Sequence, residues 1–371
     1  MITILLLIGG LVLLVLGAEL LVRGASKLAA GLGISPLIIG LTIVAYGTSA
    51  PELAVSLQSS FAGQVDVAVG NVVGSNIFNV LMILGLSALV SPLVVAQQLI
   101  RIDVPVMVAV SALAFWLGRD GLLGLGDGLV LSLGAIAYTG FQIWQSRRES
   151  NLDVQAEYAQ EFGHQLRPGD PIPSALRTWL TNLSLIAIGV VLLIFGSQWL
   201  VTSALSIARS LGVSELVAGL TIVAAGTSLP ELATSVVATV KGERDIAVGN
   251  VVGSNIFNLL AVLGFSSLLS GQGLVVPGAA IAGDLPIMVA TAIACLPIFF
   301  TGSVITRWEG FVFLGYYAAY VAYLGLRTTQ HEALTPFSLA MLWFVIPLTV
   351  VTLLATLLNA WRDRQNKRAK P

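Results

Sequence analysis

Apolar residues in this chain come in long runs, separated by stretches that hold most of the charged positions. Eleven runs stand out, near residues 2–22, 36–62, 66–91, 102–118, 124–144, 182–203, 215–240, 245–270, 281–301, 308–326 and 336–358. Most are about 20 residues long, which at 1.5 Å per residue crosses the hydrocarbon of a bilayer as a helix. Period-two alternation is absent, which argues against a transmembrane barrel. The pattern predicts an all-α integral membrane protein of about 11 spans.

The second and seventh runs are broken in the same way. Gly47–Glu52 reads GTSAPE and Gly226–Glu231 reads GTSLPE, 179 positions later. From Gly47 to Asn79 and from Gly226 to Asn258, 22 of 33 positions are identical, including AVGNVVGSNIFN without a break. The likeness reaches upstream, with GLTIVA at Gly40–Ala45 and Gly219–Ala224, and downstream, where DVPVMVA from Asp103 is echoed by DLPIMVA from Asp284. The chain is an internal duplication. Five spans separate corresponding points, so the second copy is expected to cross the membrane in the opposite sense, as in secondary transporters whose site lies at the midplane between repeats. The expected layout is a first five-helix repeat over 1–145, a cytoplasmic connector over 146–181, an inverted five-helix repeat over 182–327, and one extra C-terminal transmembrane helix with a basic tail over 328–371.

Composition agrees: 56% of the 371 residues are hydrophobic and 10% are charged, with a mean hydropathy of +0.93, against about 25% charged in soluble domains. The first run has no basic residue before it, so it reads as a retained span and not as a signal peptide. Fifteen of the eighteen Lys and Arg residues fall on one side of this layout, with Arg119, Arg209 and Arg327 on the other. That asymmetry places the N-terminus outside and the C-terminus in the cytoplasm, in a cell (inner) membrane. The single Cys295 has no internal disulfide partner and reads as a core residue.

A carboxylate at mid-membrane costs roughly 2.5–3.5 kcal/mol on insertion scales, yet Glu52 and Glu231 recur in register. Pro51 and Pro230 have no amide hydrogen, so the helices are expected to open at Gly47 and Gly226. Irregular backbone at that depth is tolerated only where it faces protein, water or a ligand. Thr48, Ser49, Glu52 and Ser56 converge around the first break, and Ser75 and Asn79 extend the set, with Asn71 on the same face. Thr227, Ser228, Glu231, Ser254 and Asn258 repeat it. Hydroxyls, amides and carboxylates are hard oxygen donors of the kind calcium prefers. Hydroxyls and amides at helix contacts also serve as plain interhelical ties, a reading that leaves the two acids unexplained.

Other polar residues read as structural. Glu19 and Arg23 are spaced for a local ion pair. Asp66 suits a helix N-terminus, Gly70 and Gly74 form a close-packing pair, and Asp103, Asp120 and Asp127 fall near predicted ends, in solvent or capping roles. The 146–181 segment reads as a solvated linker, partly helical from Asp153 to Phe162, and holds no D-x-D-x-D-G calcium loop. His164 lies in it, and His331 precedes the last span, which is assigned to packing and is compatible with a homo-oligomer contact.

The paired GTSAPE/GTSLPE and GNVVGSNIFN motifs resemble the two alpha repeats of the cation/calcium antiporter superfamily, whose best-known branch is the sodium/calcium exchangers; the resemblance covers the ten repeated spans. It implies that Thr48, Ser49, Glu52, Ser75 and Asn79, with Thr227, Ser228, Glu231, Ser254 and Asn258, coordinate ions, assisted by the carbonyls of Ala45 and Ala224. Some members carry an acid where this chain has Asn79 or Asn258, so only two formal negative charges are expected here.

Exchange of calcium for sodium by alternating access is the reading that follows, with inorganic cations and the lipid bilayer as the partners. Proton/calcium or other divalent-cation exchange is the alternative within transport, since a Glu releases its cation on protonation. A two-acid cation channel and a membrane scaffold are the alternatives outside it. No nucleotide loop, metalloprotease motif or catalytic triad is present, so neither an enzyme, a cofactor nor a nucleic-acid partner is expected.

Overall fold

The computed structural model describes residues 2–32, 34–148, 172–210, 224–300 and 303–352. The expected Asp153–Phe162 helix, His164, most of the second GLTIVA copy and the basic tail lie outside the described residues. Helices dominate. Helix α1 spans Ile2–Leu32, α2 spans Pro36–Thr48 and α3 spans Ala50–Phe61. Helix α4 runs from Val65–Phe78 through a π-helical turn, Asn79–Leu84, to Gly85–Val90. Next come α5, Leu99–Gly118, α6, Leu125–Arg148, and α7, Ile172–Ser210.

The second half supplies α8, Ala224–Gly226, and α9, Leu229–Val240. Beyond these lie α10, Arg244–Leu269, α11, Ala280–Phe299, and α12, Arg307–Thr328. Helix α13, Leu334–Thr352, is last. Seven helices are long and apolar enough to cross a membrane, or eight with the bent α2–α3 pair as one span. Helices α6 and α12 are long enough but less apolar; α12 carries Tyr316, Tyr317, Tyr320 and Tyr323. Two two-stranded antiparallel ladders are the departure from a wholly helical fold: β1 (Leu93–Val94) pairs with β4 (Val304–Ile305), and β2 (Leu122–Leu123) with β3 (Leu274–Val275).

Glycines decide how the helices meet. In α1, Gly10, Gly17 and Gly24 recur every seven residues, two helical turns, and so share one face. A Cβ at Gly10 would lie 2.8 Å from the Gly196 carbonyl, at Gly17 2.8 Å from that of Gly189, and at Gly24 2.9 Å from that of Asn182. Rising residue numbers on α1 meet falling ones on α7, so the two helices are antiparallel and in backbone contact. Gly10 and Gly17 are themselves matched by Gly189 and Gly196, 179 positions on. A reciprocal contact of the same kind joins Gly85 of α4 to Gly310 of α12, while a Cβ at Gly128 of α6 would lie 3.0 Å from the Gly264 carbonyl of α10 and one at Gly264 would lie 2.9 Å from the Ser132 amide of α6. Gly249 and Gly253 press on the backbone of Leu37 and Leu41. The segment that Gly70 and Gly74 would meet by the same symmetry, residues 216–220, lies outside the described residues.

The main apolar core lies around α4, α5, α10 and α11, with Val72, Ile77, Met107, Val251, Leu259 and Met288 fully or almost fully enclosed. Helices α4 and α10 are therefore central, and their polar residues face protein and not lipid. Helix α13 contributes no buried side chain among the described residues.

Two polar assignments need correction. Glu19 pairs with Lys241, just beyond the end of α9, and not with Arg23. Because α1 continues to Leu32, Glu19 sits along its length, where the flexible Lys241 stem reaches it. Asp103 is neither solvated nor a cap: it is fully buried and accepts hydrogen bonds from Tyr138 Oη at 3.0 Å and Gln142 Nε2 at 2.5 Å. Its span starts earlier than expected, with a π-helical turn over Leu99–Asp103, which draws the carboxylate inside. Asp120 and Asp127 do cap, accepting from the Leu122 and Gly124 amides at 3.1 and 2.8 Å.

Replacing Gly17 by Leu should separate α1 from α7 and cost about 1–3 kcal/mol or more from overpacking. The measurement is thermal unfolding of detergent-purified protein. Gly140→Ala, at an exposed position where an added Cβ meets nothing within 4 Å, should leave the midpoint unchanged or slightly raised.

Candidate cation site

Proline sets the local geometry. It lacks an N–H and crowds the carbonyl four residues before it, so a helix bends there. Helix α2 ends at Thr48 and α3 begins at Ala50, with a 43° bend between them. In the second half α8 ends at Gly226 and α9 begins at Leu229. The hinge residues match: Ser49 has φ −82° and ψ 9°, and Ser228 has φ −88° and ψ 8°. Helix α7 passes so close that a Cβ would lie 2.9 Å from Val190 Cγ2 at Gly47 and 2.3 Å from Val201 Cγ2 at Gly226. The Gly226 carbonyl accepts from Ser197 Oγ of α7 at 2.5 Å. Glu52 and Glu231 thereby fall in the first turns of α3 and α9, where the helix dipole favours an anion.

Both carboxylates are fully buried, and each is held by the opposite half. Ser49 Oγ donates to Glu231 Oε1 at 2.8 Å and Ser228 Oγ donates to Glu52 Oε1 at 3.0 Å. Since Ser49 and Glu52 are one turn apart on the same hinge, this exchange draws the two acids together. The second oxygen of each, Oε2, has no hydrogen-bond partner. Neither do Ser75 Oγ, Ser254 Oγ, Asn79 Oδ1 and Asn258 Oδ1, all on fully buried residues.

A shell of amides fixes these groups. Asn71 Nδ2 donates to the Glu52 carbonyl at 3.2 Å and to Ser56 Oγ at 3.0 Å, while its Oδ1 accepts from Thr227 Oγ1 at 3.1 Å. Asn250 mirrors it, donating to the Glu231 carbonyl at 3.3 Å and Ser235 Oγ at 3.0 Å, with Thr48 Oγ1 3.1 Å from its Oδ1. Thr48 and Thr227 thus link each hinge to the opposite half. The Ala45 carbonyl lies at the first hinge, accepting from the Ser49 amide at 3.0 Å and 3.3 Å from Thr48 Oγ1; Ala224 opens α8.

Asn76 and Asn255 escaped the sequence reading. Asn79 Nδ2 donates to Asn255 Oδ1 at 3.0 Å, and Asn258 Nδ2 to Asn76 Oδ1 at 3.2 Å. Asn76 Nδ2 and Asn255 Nδ2 each reach the other's backbone carbonyl, at 3.2 and 3.4 Å. With their nitrogens engaged, Asn79 and Asn258 have their unpartnered oxygens fixed. A repeated Asn in both apolar copies was the available signal.

Two carboxylate, two hydroxyl and two amide oxygens form a hard donor set, within the six to eight oxygens calcium takes. Among the described residues no group of three or more His, Cys, Asp or Glu is present, so the soft or imidazole-rich sets of transition metals are not found there.

Residues 2–144 and 181–326 match the family model described as sodium/calcium exchanger protein. The putative antiporter CaxA of Alkalimonas amylolytica is 40% identical over 269 residues, covering 72% of this chain and 80% of that protein. The sodium/calcium exchanger MaX1 of Methanosarcina acetivorans is 33% identical over 355 residues, covering 87% and 99%. Among solved structures, the sodium-calcium exchanger NCX_Mj soaked with 2.5 mM Na+ and 0.1 mM Ca2+ superposes with a TM-score of 0.72 at 29% identity, covering 87% of this chain and 98% of that one. A duplicated, mostly helical membrane chain with two acids held between its halves, matched over most of its length, belongs to the sodium/calcium exchanger family of transmembrane antiporters.

Proposed function

We propose that this antiporter exchanges calcium for sodium by alternating access, with the ions bound between Glu52 and Glu231. The observation that carries the reading is the set of six buried, unpartnered oxygens, supplied equally by the two halves. A buried polar atom without a partner is costly, and two uncompensated carboxylates more so; a bound cation removes both costs. Calcium suits the set better than magnesium, which needs a tight octahedron and sheds water reluctantly. Ser75, Ser254, Asn79 and Asn258 complete the coordination, and Ser49, Ser228, Thr48 and Thr227 brace it, with the Ala45 and Ala224 carbonyls at the hinges.

In this reading the halves, 1–145 and 182–327, are inverted five-helix repeats, and α13 is an eleventh, unduplicated span. The antiparallel α1–α7 pair and the reciprocal glycine contacts support that layout. Rocking one bundle against the other opens the site to one face at a time. The positive-inside asymmetry sets the N-terminus outside a cell membrane.

Purified protein in vesicles, given labelled calcium under a sodium gradient, a pH gradient or neither, tests this. Calcium should move against its gradient when sodium runs the other way; flux driven only by pH would replace sodium with protons, and flux indifferent to both would refute exchange. Glu52→Gln and Glu231→Gln should each reduce flux to that of protein-free vesicles while the protein remains monodisperse. Asn76→Ala or Asn255→Ala, which releases the amide of Asn258 or Asn79, should weaken calcium affinity about 10–100-fold, the usual cost of losing an outer partner of a metal ligand. Competition by unlabelled calcium for labelled uptake measures it.

A further inference from the structure

The oxygen donors are matched one for one between the halves, from Thr48 and Thr227 to Asn79 and Asn258, so they favour neither face of the membrane over the other. One mismatch lies beside them. Tyr46 immediately precedes the first hinge motif, and Ala225 stands in its place before the second. The Tyr46 ring lies against Phe257 of α10, with centroids 4.4 Å apart and planes inclined by 31°. Phe257 is the residue before Asn258. Its twin Phe78, the residue before Asn79, meets Tyr317 of α12 edge to face, with centroids 5.3 Å apart and planes at 81°.

Helices α6 and α12 are counterparts, with Gly128 and Tyr138 matched by Gly310 and Tyr320, 182 positions on. In that register Ala135 corresponds to Tyr317 and Thr139 to Val321. The ring over Phe257 therefore comes from α2, with an alanine at the α6 position, and the ring over Phe78 comes from α12, with an alanine at the α8 position. The same space is filled from different helices. Both contacts join one half to the other, but Tyr46 adjoins a Pro-broken hinge, whereas Tyr317 sits within the continuous α12, Arg307–Thr328. Tyr46 is also anchored by its hydroxyl. Thr139 Oγ1 donates to the Ala135 carbonyl at 2.7 Å, so in its contact with Tyr46 Oη it is the acceptor. Val321 offers no hydroxyl at the matching position.

We infer that Tyr46 is a positioning residue that makes the two faces of the transporter unequal, because it braces the first hinge against α10 and α6 while Ala225 has no ring to brace the second. The inference rests on the alternating-access reading above. Rocking the halves changes the contacts between them, so identical inverted halves would populate the two facing states equally. A brace on one hinge stabilises one state over the other. An aromatic pair of the usual strength corresponds to about a 2–12-fold change in such an equilibrium.

The test follows exchange of labelled for unlabelled calcium across vesicles that hold the protein in one orientation, a reaction that needs no coupling ion. Half-saturating calcium is measured at each face, and it rises as the fraction of protein open to that face falls. Tyr46→Ala should raise one value and lower the other, changing their ratio by about 2–12-fold. Tyr46→Phe, which keeps the ring and loses the bond to Thr139, should change the ratio in the same direction by less. Tyr46→Ala combined with Ala135→Tyr gives the first half the arrangement of the second and should bring the two values closer together than in the unsubstituted protein. That double variant refills the vacated volume, so it carries the test even where Tyr46→Ala does not fold. A rise at both faces, or an unchanged ratio in these variants, would overturn the inference and leave exchange intact. No exchange of labelled calcium by the unsubstituted protein would overturn both.

Discussion

Two carboxylates enclosed within a membrane protein impose the constraint from which the rest of this structure follows. Neither Glu52 nor Glu231 has a basic partner among the described salt bridges. Each is stabilised by a hydroxyl from the opposite half, by the start of its own helix, and by an amide bonded to its backbone carbonyl. Those partners hold one oxygen and leave the other open. A carboxylate fully satisfied by protein would have little to offer a cation, and one wholly unsatisfied would not stay buried and ionised. The reciprocal Ser–Glu bonds set the balance between the two.

The duplicated fold is what permits such reciprocity. Glycine faces at Gly10, Gly17, Gly189 and Gly196 bring α1 and α7 to backbone contact, and the Gly85–Gly310 and Gly128–Gly264 contacts bring α12 against α4 and α6 against α10. Close packing of small residues substitutes for the hydrophobic drive that lipid removes. It also places the two Pro-broken hinges opposite one another, so that a side chain from each reaches the acid of the other. The amide shell then crosses between halves six times, through Asn71, Asn250, Asn76, Asn255, Asn79 and Asn258. The donor positions are therefore set by long-range contacts and not by either hinge alone.

Much of this was legible from residue order because the features are local and doubled. The apolar runs marked the helices, Pro51 and Pro230 marked the breaks, and the cost of a membrane carboxylate singled out Glu52 and Glu231. What escaped depends on which way a helix faces. Counting by fours from Asn71 reached Ser75 and Asn79 but passed over Asn76, one step round α4, because its use lies in meeting Asn255 on the matching helix. Asp103 looked like an end residue for a boundary reason: a span starting at 102 puts it at the rim, whereas α5 starts at Leu99 and its π-helical turn carries the carboxylate inside. Glu19 was misassigned because its partner, Lys241, is 222 residues away in sequence.

The most direct measurement of the central claim is an experimental density map of the protein prepared in saturating calcium. A single ion should appear between Glu52 and Glu231, about 2.3–2.6 Å from both carboxylates and from oxygens of Ser75, Ser254, Asn79 or Asn258. Carboxylates turned away from each other, or calcium bound elsewhere with this position filled only by protein hydrogen bonds, would contradict it.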